Sequence, residues 1–114
     1  MSKVTVAAVQ MTYGLENAME KVREAASQGA QIILLPELFE NWYFCQEKSY
    51  ENYHLATTLE ENPAVRELRK IAYDFRVVLP VSYYERVGNT TFNTVAVIDA
   101  DGSIPVSYTH LTLP

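Results

Sequence analysis

The stretch that decides the fold is residues 29–39, which read GAQIILLPELF. Four consecutive apolar residues are ended by Pro36, a pattern that is typical of a short buried strand in an α/β protein. Glu37 follows the proline directly, at what would be the carboxyl end of that strand. This acid is therefore the first candidate for chemistry.

A second strand and a helix are predicted before this stretch. Residues 4–11 are mostly β-branched or small and apolar, which predicts a strand covered on both faces. Residues 16–28 place apolar side chains at helical spacing, and Gly29 stands where a helix usually ends. Strand, helix and strand within about thirty residues predict a βαβ unit with parallel strands. The fold class is α/β.

The second half of the chain repeats the alternation of helix and strand. Asn62 and Pro63 are typical of a helix N-cap and first turn, and an apolar stripe runs from there to Arg76. Residues 77–84 and 92–98 predict two further strands. The polar residues 85–91 are expected to form the turn between them, and residues 99–102 a tight turn after the second.

Composition limits the classes of function. The 114 residues are 48% apolar and 20% charged, with a formal net charge of -5, so one globular domain is the most that the chain can form. The acidic balance disfavours a surface for nucleic acid or an anionic membrane. The single cysteine, Cys45, excludes an internal disulfide and an all-cysteine metal site, and it favours a reducing compartment. With no pattern typical of a signal peptide or membrane span, a cytoplasmic protein is expected.

Glu37 is the strongest candidate for a catalytic role. Open α/β sheets place their ligand crevices at the carboxyl ends of the strands, where this residue is predicted to lie. A carboxylate partly shielded from water at such a crevice is suited to act as a general base. The alternative is an ordinary surface glutamate at the start of a loop.

The aromatic segment after it has two open interpretations. Trp42, Tyr43 and Phe44 could shape the mouth of a pocket for a slim aliphatic amine, with Glu40 or Glu47 attracting its ammonium group. Equally, this segment could be a cap that closes the core. Asn93, in a predicted strand, is expected to hold a nearby loop by hydrogen bonding.

Several blocks of the chain, in order, resemble the nitrilase or carbon-nitrogen hydrolase superfamily. The blocks are residues 29–39 with the following YFC at 43–45, VTVAAVQM at 4–11, VVLPVS at 77–82 and FNTVAVIDADG at 92–102. Within that superfamily the pairing of ELFE at 37–40 with YFCQ at 43–46 is most similar to the N-carbamoylputrescine amidase branch. The resemblance covers residues 3 to about 104.

The resemblance implies a fold and a mechanism. Family members form a four-layer αββα sandwich and need neither a metal nor an organic cofactor. Glu37 would be the general base of a Glu, Lys and Cys triad: it takes the proton of the thiol and later activates water to hydrolyse the thioester, while the lysine stabilises the oxyanion. For N-carbamoylputrescine the products would be putrescine, ammonia and carbon dioxide. The partner would be this small-molecule substrate, and the parent protein is expected to be a homo-oligomer.

The chain departs from the family pattern after Ile104. A Tyr-Arg-Lys-x-His block that supplies the lysine and a later Gly-x-x-Ile-Cys block that supplies the nucleophile are both absent from the sequence. Residues 1–104 are therefore interpreted as the N-terminal part of a carbon-nitrogen hydrolase domain, incomplete and expected to be inactive alone. Residues 105–114 resemble translated adaptor sequence; the alternative is a polar C-terminal strand.

Two competing hypotheses remain. The chain could be a small noncatalytic α/β module that binds a ligand or partner through its aromatic segment, or a small thiol enzyme that uses Cys45 with His54. Cys45 matches an early family motif rather than the nucleophile block, so a structural or pocket-lining thiol is the favoured interpretation. A fragment of a sandwich should leave a sheet edge and one apolar sheet face uncovered, whereas a module should have a self-sufficient core.

Overall fold

A computed structural model describes residues 3–41 and 55–113, with side chains described as far as residue 109. The elements in chain order are β1 (Val6–Ala8), α1 (Leu15–Ser27), β2 (Ile32–Leu34), α2 (Pro63–Phe75), β3 (Leu79–Val87), β4 (Thr90–Ile98) and β5 (Val106–Leu113). The α/β class predicted from the sequence is confirmed.

The strands form a two-stranded sheet of β1 and β2 and a three-stranded sheet in the order β3, β4, β5. β1 and β2 pair in parallel, as the βαβ pattern predicts. A parallel bridge between Ile32 and Val78 then joins β2 to the residues entering β3, with the Ile33 N–H donating to the Val78 carbonyl at 3.0 Å. β3, β4 and β5 are antiparallel. This arrangement leaves β1 at one edge.

The start of α2 follows the local signals in the sequence. Asn62 is the N-cap and its Oδ1 accepts a hydrogen bond from the Val65 N–H at 2.8 Å, while Pro63 takes the first helical position. The missing N–H of proline costs nothing there, because the N–H groups of the first turn have no intrahelical acceptor to bond to. The helix ends at Phe75, and Arg76 adopts the left-handed conformation that closes many helices.

The core lies between the two helices and one face of the sheet. It is formed by buried apolar side chains from both helices and from β2, β3 and β4, among them Ala18, Val22, Ile33, Leu68, Ala72, Leu79, Val81, Ala96 and Ile98. Because side chains alternate along a strand, the other sheet face carries a second set of residues. Ser82 of β3 and Asn93 of β4 belong to that second face.

The prediction that residues 4–11 form a strand covered on both faces is wrong. β1 spans three residues, and the side chain of Val6 is 67% exposed. The register pairs Val6 with Ile32 and Ala8 with Leu34 on the sheet face away from the helices, and Leu34 is 52% exposed. An apolar sequence therefore predicted the strand correctly, but within this chain no layer covers its outer face among the described residues.

The prediction of a seven-residue turn at 85–91 is also wrong. β3 and β4 continue to Val87 and Thr90, and the turn is made by Gly88 and Asn89. Gly88 has φ +60°, a conformation that favours glycine and is typical of two-residue hairpin turns. At the other end of the sheet, residues 106–113 form β5, the polar C-terminal strand considered as the alternative. The adaptor-like origin of residues 105–114 stays a prediction.

Candidate active site

A cleft opens at the carboxyl ends of the two parallel strands. It has a volume of about 200 Å³ and is lined by residues 11–13, residues 36–39 and Asn41. The first segment follows β1 and the second follows β2, so the cleft lies where open α/β sheets bind ligands. A hydrogen bond of 2.7 Å from the Gly14 N–H to the Phe39 carbonyl ties the two segments together.

Glu37 lines this cleft, as the sequence predicts. Its Oε1 accepts a hydrogen bond from Nδ2 of Asn93, a residue of β4 that is 3% exposed. Asn93 thus holds the loop after β2, which confirms the structural role predicted for it. The Glu37 side chain itself is exposed rather than partly shielded from water, so the expected shielding is not present in this chain.

The backbone after Glu37 makes an unusual turn. Leu38 is buried and has φ +51°, a left-handed conformation that is uncommon for residues other than glycine. Its N–H donates to Oγ of Ser82 in β3 at 3.0 Å. Such conformations persist where the surrounding structure holds them, and they concentrate at functional sites. The turn fixes the direction in which the chain carries Glu37 into the cleft.

Ser82 is a functional candidate that the sequence analysis missed. Its Oγ donates to Oδ1 of Asn93 at 3.0 Å, so that Ser82 connects the Leu38 backbone to the amide that holds Glu37. Both side chains are buried polar groups, close in sequence to the apolar stretches 79–81 and 95–98. A buried polar group must find a partner, and this was the signal available in the sequence.

Glu40 lies on the same loop and is also held by a buried asparagine. Its Oε1 accepts from Nδ2 of Asn62 at 2.8 Å, and the same nitrogen donates to Oγ1 of Thr57 at 2.9 Å. Burial raises the pKa of the Glu40 carboxyl above its ordinary value, and the hydrogen bond from Asn62 opposes this in part. The loop that carries Glu37 is thereby attached to the N-terminus of α2.

We expect Glu40→Gln to change how stability depends on pH. The pKa of Glu40 is higher in the folded chain than its ordinary value of 4.5, so its contribution to stability is complete below that pH and is lost as the pH rises through the folded pKa. Glutamine keeps an acceptor for Asn62 and does not ionise. The free energy of unfolding of the variant, relative to that of the parent, should therefore increase from acidic to neutral pH.

Urea unfolding at pH values about one unit apart, from about 3.5 to 8, measures this difference in the free energy of unfolding. Glu20→Gln is the matched control, because Glu20 is an exposed glutamate of α1. Its curve should run parallel to that of the parent. If the Glu40→Gln curve also runs parallel, burial of Glu40 does not set this pH dependence.

The remaining candidate residues lie outside the described part of the chain. These are Trp42, Tyr43, Phe44, Cys45, Glu47 and His54, and their predicted roles are untested. Among the side chains that the structure does describe, no group of three His, Cys, Asp or Glu residues could hold a metal ion. Neither described helix is long and apolar enough to cross a membrane.

A larger cavity of about 620 Å³ lies elsewhere, beside α2. Its lining includes Leu59, Arg66, Arg69 and Ile104, and it contains none of the predicted site residues. We place the candidate site in the smaller cleft because a carboxylate, a left-handed turn and a buried polar pair meet there.

Comparison with known proteins identifies the family. The family model described as "Carbon-nitrogen hydrolase" matches residues 5–114. The chain belongs to the carbon-nitrogen hydrolase family. One relative of this carbon-nitrogen hydrolase chain is a citrullinase from Francisella tularensis, which is 38% identical over 100% of the chain and 42% of the relative. Another is an N-carbamoylputrescine amidase from Oryza sativa, which is 41% identical over 90% of the chain and 36% of the relative.

Solved structures support the same fold. A carbon-nitrogen hydrolase from Helicobacter pylori G27 superposes with a TM-score of 0.85 at 23% identity, over 97% of this chain and 40% of that one. Saccharomyces cerevisiae Nit3, a member of the nitrilase superfamily, superposes with a TM-score of 0.79 at 20% identity, over 93% and 43%. The predicted nitrilase-type architecture is thus confirmed. The chain spans less than half the length of these carbon-nitrogen hydrolases.

Proposed function

We propose that this chain is part of an enzyme that hydrolyses N-carbamoylputrescine to putrescine, ammonia and carbon dioxide, with Glu37 as the general base. The observation that carries the proposal is the position of Glu37: it lines a cleft at the carboxyl ends of two parallel strands, in a chain of the carbon-nitrogen hydrolase family. Its contact with Asn93 holds the carboxylate at that cleft.

In the proposed mechanism Glu37 acts twice. It first accepts the proton of a cysteine thiol, and the thiolate attacks the carbamoyl carbon to give a tetrahedral oxyanion that a lysine ammonium stabilises. The C–N bond to the terminal nitrogen breaks, that nitrogen takes the proton from Glu37, and ammonia leaves. Glu37 then takes a proton from water, whose oxygen attacks the thioester carbon; the carbon–sulfur bond breaks, and the cysteine sulfur takes that proton back from Glu37. The carbamic acid released by this step breaks its remaining C–N bond, with its proton passing to nitrogen, and gives carbon dioxide and the amine.

The 114-residue chain by itself is proposed to be inactive. The family blocks expected to supply the lysine and the nucleophile are absent from its sequence, and it spans 36% and 42% of two of its relatives. Removing the nucleophile from such a unit eliminates covalent catalysis. The proposed activity therefore belongs to a longer protein that contains these residues.

The choice of substrate is supported by the names of the relatives. Citrulline and N-carbamoylputrescine, the substrates that those names indicate, are both carbamoylated primary amines, and they differ in the carboxylate that citrulline carries. A small neutral or cationic substrate also suits a chain with a net charge of -5. The proposal includes a cytoplasmic homo-oligomer whose partner is this small molecule, rather than nucleic acid or a membrane.

Ammonia release from the longer protein tests the substrate. We expect kcat/KM for N-carbamoylputrescine to exceed that for citrulline and for an ω-amide by about 10-fold or more, the range that small differences in a substrate can produce. A higher kcat/KM for citrulline or the ω-amide would replace the proposed substrate. Absence of ammonia release from all three compounds would overturn the proposed reaction class.

A further inference from the structure

A continuous chain of hydrogen bonds ends on the Glu37 carboxylate. It begins at the Leu38 N–H, which donates to Oγ of Ser82 at 3.0 Å, and it continues from Oγ of Ser82 to Oδ1 of Asn93 at 3.0 Å. Nδ2 of Asn93 then donates to Oε1 of Glu37. The chain joins the loop after β2 to two neighbouring strands, and its middle members, Ser82 and Asn93, are 8% and 3% exposed.

The chemistry of these groups permits one direction for the chain. A backbone N–H can only donate, so Ser82 Oγ accepts from Leu38 and has its single proton left for Asn93. The amide oxygen of Asn93 must therefore face Ser82, and its NH₂ group must face Glu37. An ionised carboxylate only accepts hydrogen bonds, so this orientation satisfies every member.

A second carboxylate in the same sheet shows what is distinctive about Glu37. Both oxygens of Glu85 are held: Oε1 accepts from Thr94 Oγ1 and Oε2 from Tyr83 OH, each at 2.8 Å. That carboxylate completes a closed, partly buried cluster. In Glu37, the described residues hold one oxygen, Oε1, and the side chain remains exposed at the cleft. The hydrogen-bond chain therefore orients the carboxylate without occupying both of its oxygens.

We propose that Ser82 and Asn93 are positioning residues, which fix Oε1 of Glu37 and the left-handed Leu38 turn and thereby assign Oε2 as the oxygen that accepts the proton. The inference rests on the proposed role of Glu37 as general base. Neither residue touches the reacting atoms; Asn93 acts through the carboxylate and Ser82 acts through Asn93 and the Leu38 peptide. Their effect should appear in kcat, because a displaced base weakens proton transfer and leaves substrate binding in place.

The test uses Ser82→Ala, Asn93→Ala and the double variant in the longer, active protein. Each single variant should lower kcat by roughly 10- to 100-fold with KM within about threefold, since a displacement of about 1 Å can have that effect. The kcat of the double variant should be within about threefold of the kcat of the less active single variant, because the effects of residues that act as a unit are not additive. Thr94→Val is the matched control: it removes a partly buried hydrogen bond from the next residue of β4, on the opposite face, and should leave kcat within about twofold.

Asn93→Asp separates positioning from folding. Aspartate keeps an acceptor for Ser82 but places a second carboxyl against Glu37, so the two groups must repel or share one proton. We expect kcat to fall at least as far as in Asn93→Ala, and thermal unfolding verifies that the variant is folded. If the Asn93 variants, Asn93→Asp included, keep kcat within twofold of the parent, or if the two alanine effects multiply in the double variant, the positioning role is wrong. Loss of activity in Glu37→Gln alongside such results would leave the proposed function standing. Retained activity in Glu37→Gln would overturn the proposed function itself.

Discussion

Replacing Glu37 with glutamine should lower kcat for ammonia release by about 10²- to 10⁴-fold, with the upper end expected because the same group acts in both halves of the reaction. Glutamine has nearly the same shape and keeps an oxygen that can accept the hydrogen bond from Asn93 Nδ2. It cannot accept a proton from a thiol or from water. The loss should therefore appear in kcat, while KM changes little because substrate binding is retained.

Steady-state kinetics on the longer protein measure this effect, and rapid mixing adds a second observation. A base that is needed for both acylation and deacylation predicts that no burst of ammonia precedes the slow phase in Glu37→Gln. Glu20→Gln, on the exposed face of α1, is the control and should retain full activity. A kcat within tenfold of the parent would remove Glu37 from the role of general base and leave it as a surface carboxylate.

The parts of the fold that were predicted correctly depend on local signals. The cap at Asn62 and the proline at position 63 determine the start of α2 within one turn of chain. The βαβ unit likewise follows from periodicity and from the preference for parallel pairing of strands joined by a helix. Burial of β1 was predicted wrongly because an apolar sequence does not specify which layer covers it.

The sequence predicts only part of the candidate site, because a local pattern does not specify which distant residues pack against it. Glu37 was identified because it follows its own strand directly, whereas its contacts come from far along the chain. Asn93 is 56 residues from Glu37, and Ser82 is 44 residues from Leu38. Those contacts depend on the register of β3 and β4 and on how the loop after β2 crosses them. A buried serine or asparagine in an apolar strand signals a polar contact but does not name the partner.

The outer face of β1 and β2 allows a test of whether this chain is a part or a whole. Val6 and Leu34 are exposed on the face away from the helices, next to the sheet edge. A fragment of a four-layer sandwich is expected to expose such a face, because a second sheet would cover it in the longer protein. A self-sufficient binding module would need no cover there. The two hypotheses therefore assign different surroundings to the same valine.

Val6→Glu should consequently have an effect that depends on the polypeptide that carries it. In the 114-residue chain Val6 is 67% exposed, and the free energy of unfolding should change by less than about 0.5 kcal/mol. In the longer protein the carboxylate would lie unpaired between two apolar layers, and the cost should be about 3 kcal/mol or more. Urea unfolding of both polypeptides measures this difference in the free energy of unfolding.

Val87→Glu is the matched control, because Val87 is a strand valine that is 55% exposed near the β3–β4 turn. Its substitution should change the free energy of unfolding little in both polypeptides. An equally small effect of Val6→Glu in both polypeptides would favour the module. It would mean that the outer face of β1 stays in water in the longer protein and that no second sheet packs on it.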